Sequence, residues 1–215
     1  MIDPNLVKQL REKTNAGMMD CKRALVEAGG DAEKAEALLR TKGIASADKK
    51  STRATKEGVI ASYIHLQGRV GVLIEVNCET DFVAKNEIFR EFVKDITLQI
   101  AAAYPLFVTR DQVDSKLVES ERAIYKAQVK DKPEAIMDKI VDGKLDKFYS
   151  TICLMEQSFI KNPDLTIKDY VASKISELGE NIVIRRFTRY MVGEDLEAGL
   201  PTLGESALAE DSCAI

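Results

Sequence analysis

Asn77-Cys78-Glu79-Thr80-Asp81-Phe82-Val83-Ala84-Lys85-Asn86 stands between two segments of different periodicity, and that change decides the fold. Before it, Val70-Gly71-Val72-Leu73-Ile74-Glu75-Val76 is short, largely apolar and rich in β-branched residues, the composition of a strand. After it, Ile88, Phe89, Phe92, Val93, Ile96 and Ile100 fall on one face at helical spacing, and the pattern runs from Glu87 to Ala103. The ten residues are a strand-to-helix junction, where a short loop on a firm scaffold carries function. Thr80 or Asp81 can cap the helix by accepting from its first free N–H groups. That leaves the ring of Phe82 at the lip of the junction, next to a carboxylate. Two readings stand. The ring staples back onto its own helix, or it is an exposed aromatic wedge flanked by charge, the composition of an interface anchor.

Working backwards, Val59-Ile60-Ala61-Ser62-Tyr63-Ile64-His65 reads as a strand joined to Val70–Val76 through a turn at residues 66–69, making a hairpin. Residues 46–56 are polar and basic, the signature of a linker. Residues 1–45 read as a small module of three helices. Asp3 or Asn5 caps the first, with Pro4 near its start, and Leu6, Val7 and Leu10 line one face. The second begins at Met18 and stops at Gly29-Gly30. The third is capped by Asp31, turns Ala35, Leu38 and Leu39 inward and ends at Gly43. Met18 and Met19 are neighbours on a helix, so both cannot point fully inward, and an outward thioether is an adaptable contact.

Working forwards, Pro105–Val108 is an extended connector and Val113–Val129 a charged amphipathic helix. Pro133 opens another helix with Ile136, Met137, Ile140 and Val141 inward; Gly143 interrupts it, and Leu145, Phe148, Ile152 and Leu154 resume its apolar face. Thr166-Ile167-Lys168-Asp169 is a capping box whose helix carries Tyr170, Val171, Ile175 and Leu178 and ends at Gly179. Ile182 to Val192 alternates as a third strand, with Arg185, Arg186 and Arg189 outward or at the rim. Three strands packed with several helices give an α+β core over residues 57–193. Residues 194–215, with Gly199, Pro201, Gly204 and Ser206, read as a disordered tail.

Composition narrows the function. A formal net charge of -4 speaks against a broad surface for nucleic acid or anionic membrane. No apolar run reaches the length of a membrane span, and Met1-Ile2-Asp3-Pro4 opens no secretory signal. The cysteines, Cys21, Cys78, Cys153 and Cys213, are scattered singly, so neither a zinc site nor a redox pair is indicated. Cys21, Cys78 and Cys153 read as small core residues with reduced thiols, in a cytoplasmic setting. The single histidine, His65, ends a hairpin strand at the solvent edge with no partner placed for it. No phosphate-binding, metal-binding or nucleophile motif occurs, and no cofactor is implied. The expectation is a non-enzyme that works by binding.

Two long strings then carry a resemblance. Lys8-Gln9-Leu10-Arg11-Glu12-Lys13-Thr14-Asn15-Ala16-Gly17-Met18-Met19-Asp20-Cys21-Lys22 is similar to the N-terminal signature of the elongation factor Ts family. Glu75-Val76-Asn77-Cys78-Glu79-Thr80-Asp81-Phe82-Val83-Ala84-Lys85-Asn86 resembles its second signature. Further similarity runs through Leu154–Lys161 and Leu178–Phe187, so that residues 1 to about 195 are covered. The resemblance implies a guanine nucleotide exchange factor for elongation factor Tu, which binds the GDP-loaded partner, displaces its Mg²⁺ and lets GDP leave so that GTP can enter. It implies a ubiquitin-associated-type module at the N-terminus, with Lys8, Arg11, Met18 and Met19 at its contact positions. It makes Thr80, Asp81, Phe82 and Val83 the segment associated with dislodging the partner's Mg²⁺. Longer members carry two core halves and a coiled-coil insertion; a single core of this length implies a homodimer.

Two competing expectations come from the residues alone. An RNA-binding adaptor would use Lys49, Lys50, Arg53 and Lys56 with the Arg185-Arg186-Arg189 rim, and its binding would fall steeply with salt. A thiol enzyme would use Cys78 or Cys153 at a lowered pKa.

Overall fold

The computed structural model describes residues 2–14, 16–129 and 133–194. Three helices come first: α1 (Pro4–Thr14), α2 (Met18–Glu27) and α3 (Ala32–Lys50). Asp3 caps α1, its Oδ1 accepting from Asn5 N at 2.9 Å. Asp31 caps α3 by accepting from Glu33 N and Lys34 N. Val7, Leu10, Cys21, Ala24, Leu25 and Ala35 close a small apolar cluster between the three. Its small side chains let the helices approach closely, the way a core of this size gains contact.

The sequence predicts that Gly43 ends the third helix and that 46–56 is a linker. Instead α3 continues through Gly43 to Lys50. Glycine weakens a helix by only about 1 kcal/mol against alanine. Here Ile44 and Ala47, just beyond it, are anchored in the main core, and Arg40 pairs with Asp169 at 2.6 Å. One helix therefore belongs to both clusters, and only residues 51–56 remain as a connector.

The main sheet is formed by β1 (Glu57–His65), β2 (Val70–Cys78) and β5 (Val183–Met191), antiparallel throughout and ordered β1-β2-β5. Alternation along β2 sends Val70, Val72, Ile74, Val76 and Cys78 to the buried face. That face is covered by α5 (Glu87–Ala103), whose Phe89, Phe92, Val93, Ile96 and Ile100 are all buried. α8 (Ile167–Leu178) completes the core with Ile167, Val171, Ala172 and Ile175. Its capping box is present as the sequence predicts, Asp169 N donating to Thr166 Oγ1 at 3.1 Å and Thr166 N to Asp169 Oδ2 at 3.3 Å. The fold is α+β: N-terminal helices and a three-stranded antiparallel sheet packed with helices.

Between α5 and α8 lie α6 (Ser115–Gln128), α7 (Glu134–Ile152) and a short hairpin, β3 (Ser158–Phe159) with β4 (Asn162–Thr166). The hairpin is absent from the sequence reading. It is held by side chains more than by alternation: Gln99 of α5 donates to Ser158 O and accepts from Ile160 N, while buried Asp95 takes Lys161 Nζ at 2.6 Å and the Tyr170 hydroxyl at 2.9 Å. Gly143 does not interrupt α7, because Val141, Leu145 and Phe148 keep one continuous buried face across it. Ile136, expected inward, is exposed. Among the described residues no helix is long and apolar enough to cross a membrane. Cys213 and residues 195–215, read as a tail, lie outside the described residues.

Candidate functional site

The junction after β2 splits into two helices. A five-residue helix, α4 (Asp81–Lys85), is capped by Thr80, and Asn86 both ends it and caps α5 by accepting from Ile88 N at 2.8 Å. Of the two capping candidates, the one used is Thr80, whose Oγ1 accepts from Val83 N at 3.4 Å. Val83 and Ala84 turn into the main core. Phe82 lies between the cap and that buried pair and points the other way, 81% exposed. The staple reading is thereby set aside, since the ring gains little cover from the described residues of its own chain. Asp81 forms an i,i+4 pair with Lys85 at 2.7 Å, and the Lys85 hydrogen bond holds its carboxyl below the usual carboxylate range.

The corner before α4 is fixed by two carboxylates, each accepting from backbone on the other side of the corner. Glu180 accepts from Glu79 N (3.1 Å) and Thr80 N (3.0 Å) at one oxygen, and from the Thr80 hydroxyl (2.6 Å) at the other. Glu79 in turn accepts from Asn181 N at 2.6 Å. The Asn181 amide donates to the carbonyls of Ser51 (3.3 Å) and Arg53 (3.0 Å), in the chain that leaves α3. Sequence reasoning missed Glu180 and Asn181. The only local signal is Gly179, whose left-handed φ of +78° ends α8 and sends the next residue back towards the sheet.

Met18 and Met19 are the first two residues of α2 and are 59% and 63% exposed. Cys21, Ala24 and Leu25 take the inward positions of that helix. Lys8 and Arg11 are exposed on α1, Lys8 lying 3.9 Å from Glu12. A shallow groove continues from Met19 past Val26, rimmed by Lys22, Arg23 and Lys42. The four module residues are thus solvent-facing on the small cluster, and Thr80–Val83 borders the large one. No hydrogen bond or ion pair among the described residues joins the two groups; the physical link between them is α3.

Most of the groups named for the competing readings are engaged elsewhere, although Lys49 and Lys56 are exposed. Arg53 reaches Glu79 at 3.4 Å, and Lys50 Nζ donates to Ile175 O at 3.2 Å. A bulge where β2 meets β5 brings both Arg185 (3.6 Å) and Arg186 (2.7 Å) to Glu75. Burial works against the charge of Glu75, but Arg186 and its other partners hold its pKa below the ordinary value. The Arg189 side chain is largely covered, lies on the Tyr104 ring and pairs with Glu194 at 2.7 Å. These cations do not form the open basic stripe an RNA adaptor needs.

Cys21, Cys78 and Cys153 are buried, as the sequence implies. Burial first, then the charge of Glu180, pushes the Cys78 thiol from 9.0 up to about 11; burial does the same for Cys153. That is the reverse of an activated nucleophile. At pH 7.5 iodoacetamide is expected to label both in the native protein about 100-fold more slowly than an ordinary cysteine, with the rate climbing as pH approaches 11. Peptide mass spectrometry reads this directly, and fast labelling at neutral pH would revive the thiol enzyme. His65 is exposed and held by the Tyr63 hydroxyl at 2.9 Å. Among the described residues no group of three or more acidic, cysteine or histidine side chains could hold a metal ion.

Comparison with known proteins follows the same residues. A sequence model of the family described as Elongation factor TS matches residues 46–194. The chain is similar to the protein named Elongation factor Ts of Carboxydothermus hydrogenoformans, 55% identical over 198 residues, covering 91% of each chain. A protein of the same name from an Anaeromyxobacter species is 54% identical over 206 residues, 95% of this chain and 94% of that one. The one from Thermotoga petrophila is 52% identical over 196 residues, 91% of this chain and 98% of that one.

Proposed function

The chain belongs to the elongation factor Ts family of translation elongation factors, and from that premise we propose that it is the guanine nucleotide exchange factor for elongation factor Tu. In this reading it performs no covalent chemistry. It binds the GDP-loaded partner in a bacterial-type cytoplasm, loosens the partner's Mg²⁺, and GDP leaves so that GTP can bind. The observation that carries it is the exposure of Phe82, an aromatic ring on a helix whose neighbours are locked in the core.

An exchange factor works only through a difference: it must bind the nucleotide-free partner better than the loaded one. A ring that is solvated in the free chain and buried only when a gap opens in the partner supplies such a difference. Phe82 enters between two partner helices and shifts one by an ångström-scale step, with Thr80, Asp81 and Val83 setting its direction. Lys8, Arg11, Met18 and Met19 of the module hold the GTPase domain, the flexible thioethers moulding to its surface. The test is one mixture: elongation factor Tu loaded with a fluorescent GDP, the purified chain added, dissociation followed over time. Acceleration that grows with added chain supports the reading; an unchanged trace under conditions where complex forms rejects it.

The reading includes a homodimer, supported by the outer face of the sheet. Register sets Ile64, Gly71 and Tyr190 in one row, Ser62, Leu73 and Thr188 in the next, and Ile60 beside the Glu75–Arg186 pair in the third. Ile60, Ile64, Leu73 and Tyr190 are all exposed. A contiguous apolar sheet face is what two copies cover by packing face to face. Leu73→Asp is expected to convert the dimer to monomer in analytical ultracentrifugation, because it buries a charge at the centre of that face. A wild-type chain that sediments as a monomer at tens of micromolar would remove the dimer from the reading.

A further inference from the structure

We propose that Glu180, with Asn181 beside it, is a positioning residue of the exchange surface, holding the corner at 79–80 so that Phe82 meets its partner already aimed. This rests on the exchange role given to Phe82 above.

The argument begins where the sheet stops. Cys78 pairs with Glu57 on one side, and Asn77 with Val183 on the other. Residues 79 and 80 are the first beyond both neighbouring strands, so their N–H groups have no ladder acceptor. Glu180 supplies one for both. Its second oxygen takes the proton of the Thr80 hydroxyl, which leaves a lone pair of that hydroxyl to accept from Val83 N. The cap of α4 is thus oriented by a side chain 100 residues away. A helix of five residues cannot hold itself together. Its direction comes from that cap at one end and from Val83 and Ala84 in the core at the other. Phe82 lies between the two.

Asn181 adds the third attachment. Its backbone N–H goes to Glu79 and its amide to the carbonyls of Ser51 and Arg53. The corner, the turn after α8 and the chain leaving α3 form one hydrogen-bonded knot. A ring aimed only part of the time acts only for that fraction of encounters, and fixing it beforehand removes an ordering cost from the complex.

The experiment is a double-mutant cycle: Glu180→Ala and Glu180→Gln, each alone and combined with Phe82→Ala, in the fluorescent GDP release assay, with thermal unfolding of every chain. Glu180→Ala is expected to slow release about tenfold, since two backbone donors and a hydroxyl lose their acceptor. Glu180→Gln is expected to slow it about threefold, because its amide oxygen still serves the two N–H groups while its NH₂ cannot accept the Thr80 proton. In the Phe82→Ala background neither is expected to slow release further, as for groups that act as one unit. Equal slowing in both backgrounds would overturn the proposal, for it would mean that Glu180 acts on the fold at large. So would normal release by Glu180→Ala where Phe82→Ala is slow. If Glu180→Ala does not melt as a folded chain, Glu180→Gln carries the same cycle. Should Phe82→Ala alone leave release unchanged, the role of Phe82 itself falls, and that single variant tells the two failures apart.

Discussion

Phe82→Ala is expected to slow GDP release from elongation factor Tu about 10- to 100-fold while weakening complex formation much less. Burying a phenylalanine side chain fully is worth about 1.5–3 kcal/mol, and each 1.4 kcal/mol is roughly a decade in rate. The ring is 81% exposed in the free chain, so nearly all of that energy remains to be gained in the complex. The same exposure means that its removal leaves the chain's own stability within about 0.5 kcal/mol of wild type. The combined variant Met18→Ala with Met19→Ala is the contrast. It removes contacts made whether or not the nucleotide has left, so it should raise the concentration of chain needed without lowering the rate at saturation. Stopped-flow release across a range of chain concentrations separates the two. Equal saturated rates for Phe82→Ala and wild type would refute the wedge.

The largest expected loss of stability comes from a glycine at the same end of the sheet. Gly58 lies opposite Asn77 with φ at +148°, a region essentially closed to other residues. A β-carbon there would sit 2.2 Å from Val76 O and 2.7 Å from Asn77 Cα, both backbone atoms with little room to move. Gly58→Ala is expected to cost about 3 kcal/mol or more, lowering the melting temperature by roughly 6–12 °C for a chain of this size. Gly143→Ala in α7, where nothing lies within 4 Å, should instead stabilise by about 0.5–1 kcal/mol. Chemical denaturation of both variants decides the matter, and a neutral Gly58→Ala would show that β1 does not lie so tightly against the Val76–Asn77 backbone.

Gly143 and its counterpart in α3, Gly43, also show what the sequence conceals. Gly43 and Gly143 read locally as helix breaks, yet both lie inside helices, because residues on either side are held by the core and the local penalty is small beside that packing. Elements whose signals are strong were legible almost to the residue. α5 spans Glu87–Ala103 as its apolar spacing predicts, and α8 opens on its capping box and closes at Gly179. The exposure of Phe82 was open in the sequence as one of two readings, and it is decided by Val83 and Ala84 taking the inward positions. The β3–β4 hairpin was not legible, since its register depends on buried Gln99 and Asp95 of a distant helix. Nor was the knot that Glu79 makes with Glu180 and Asn181. Two acidic residues a hundred positions apart carry no local sign that Glu180 will accept from the Glu79 backbone and Glu79 from that of Asn181.

One helix runs without a break from the small apolar cluster into the large one, and this has a consequence for which changes the protein tolerates. Each residue added to a helix advances it by 1.5 Å and turns it by about 100°. Deleting a single position midway along α3 would leave both clusters intact, yet swing the methionine pair more than a quarter-turn around the axis relative to Phe82. Side chains on its solvent side away from the groove, such as Thr41, are free to vary. The number of residues between the two clusters is not, because that count sets the angle between two points that, on the proposed function, grip one partner together.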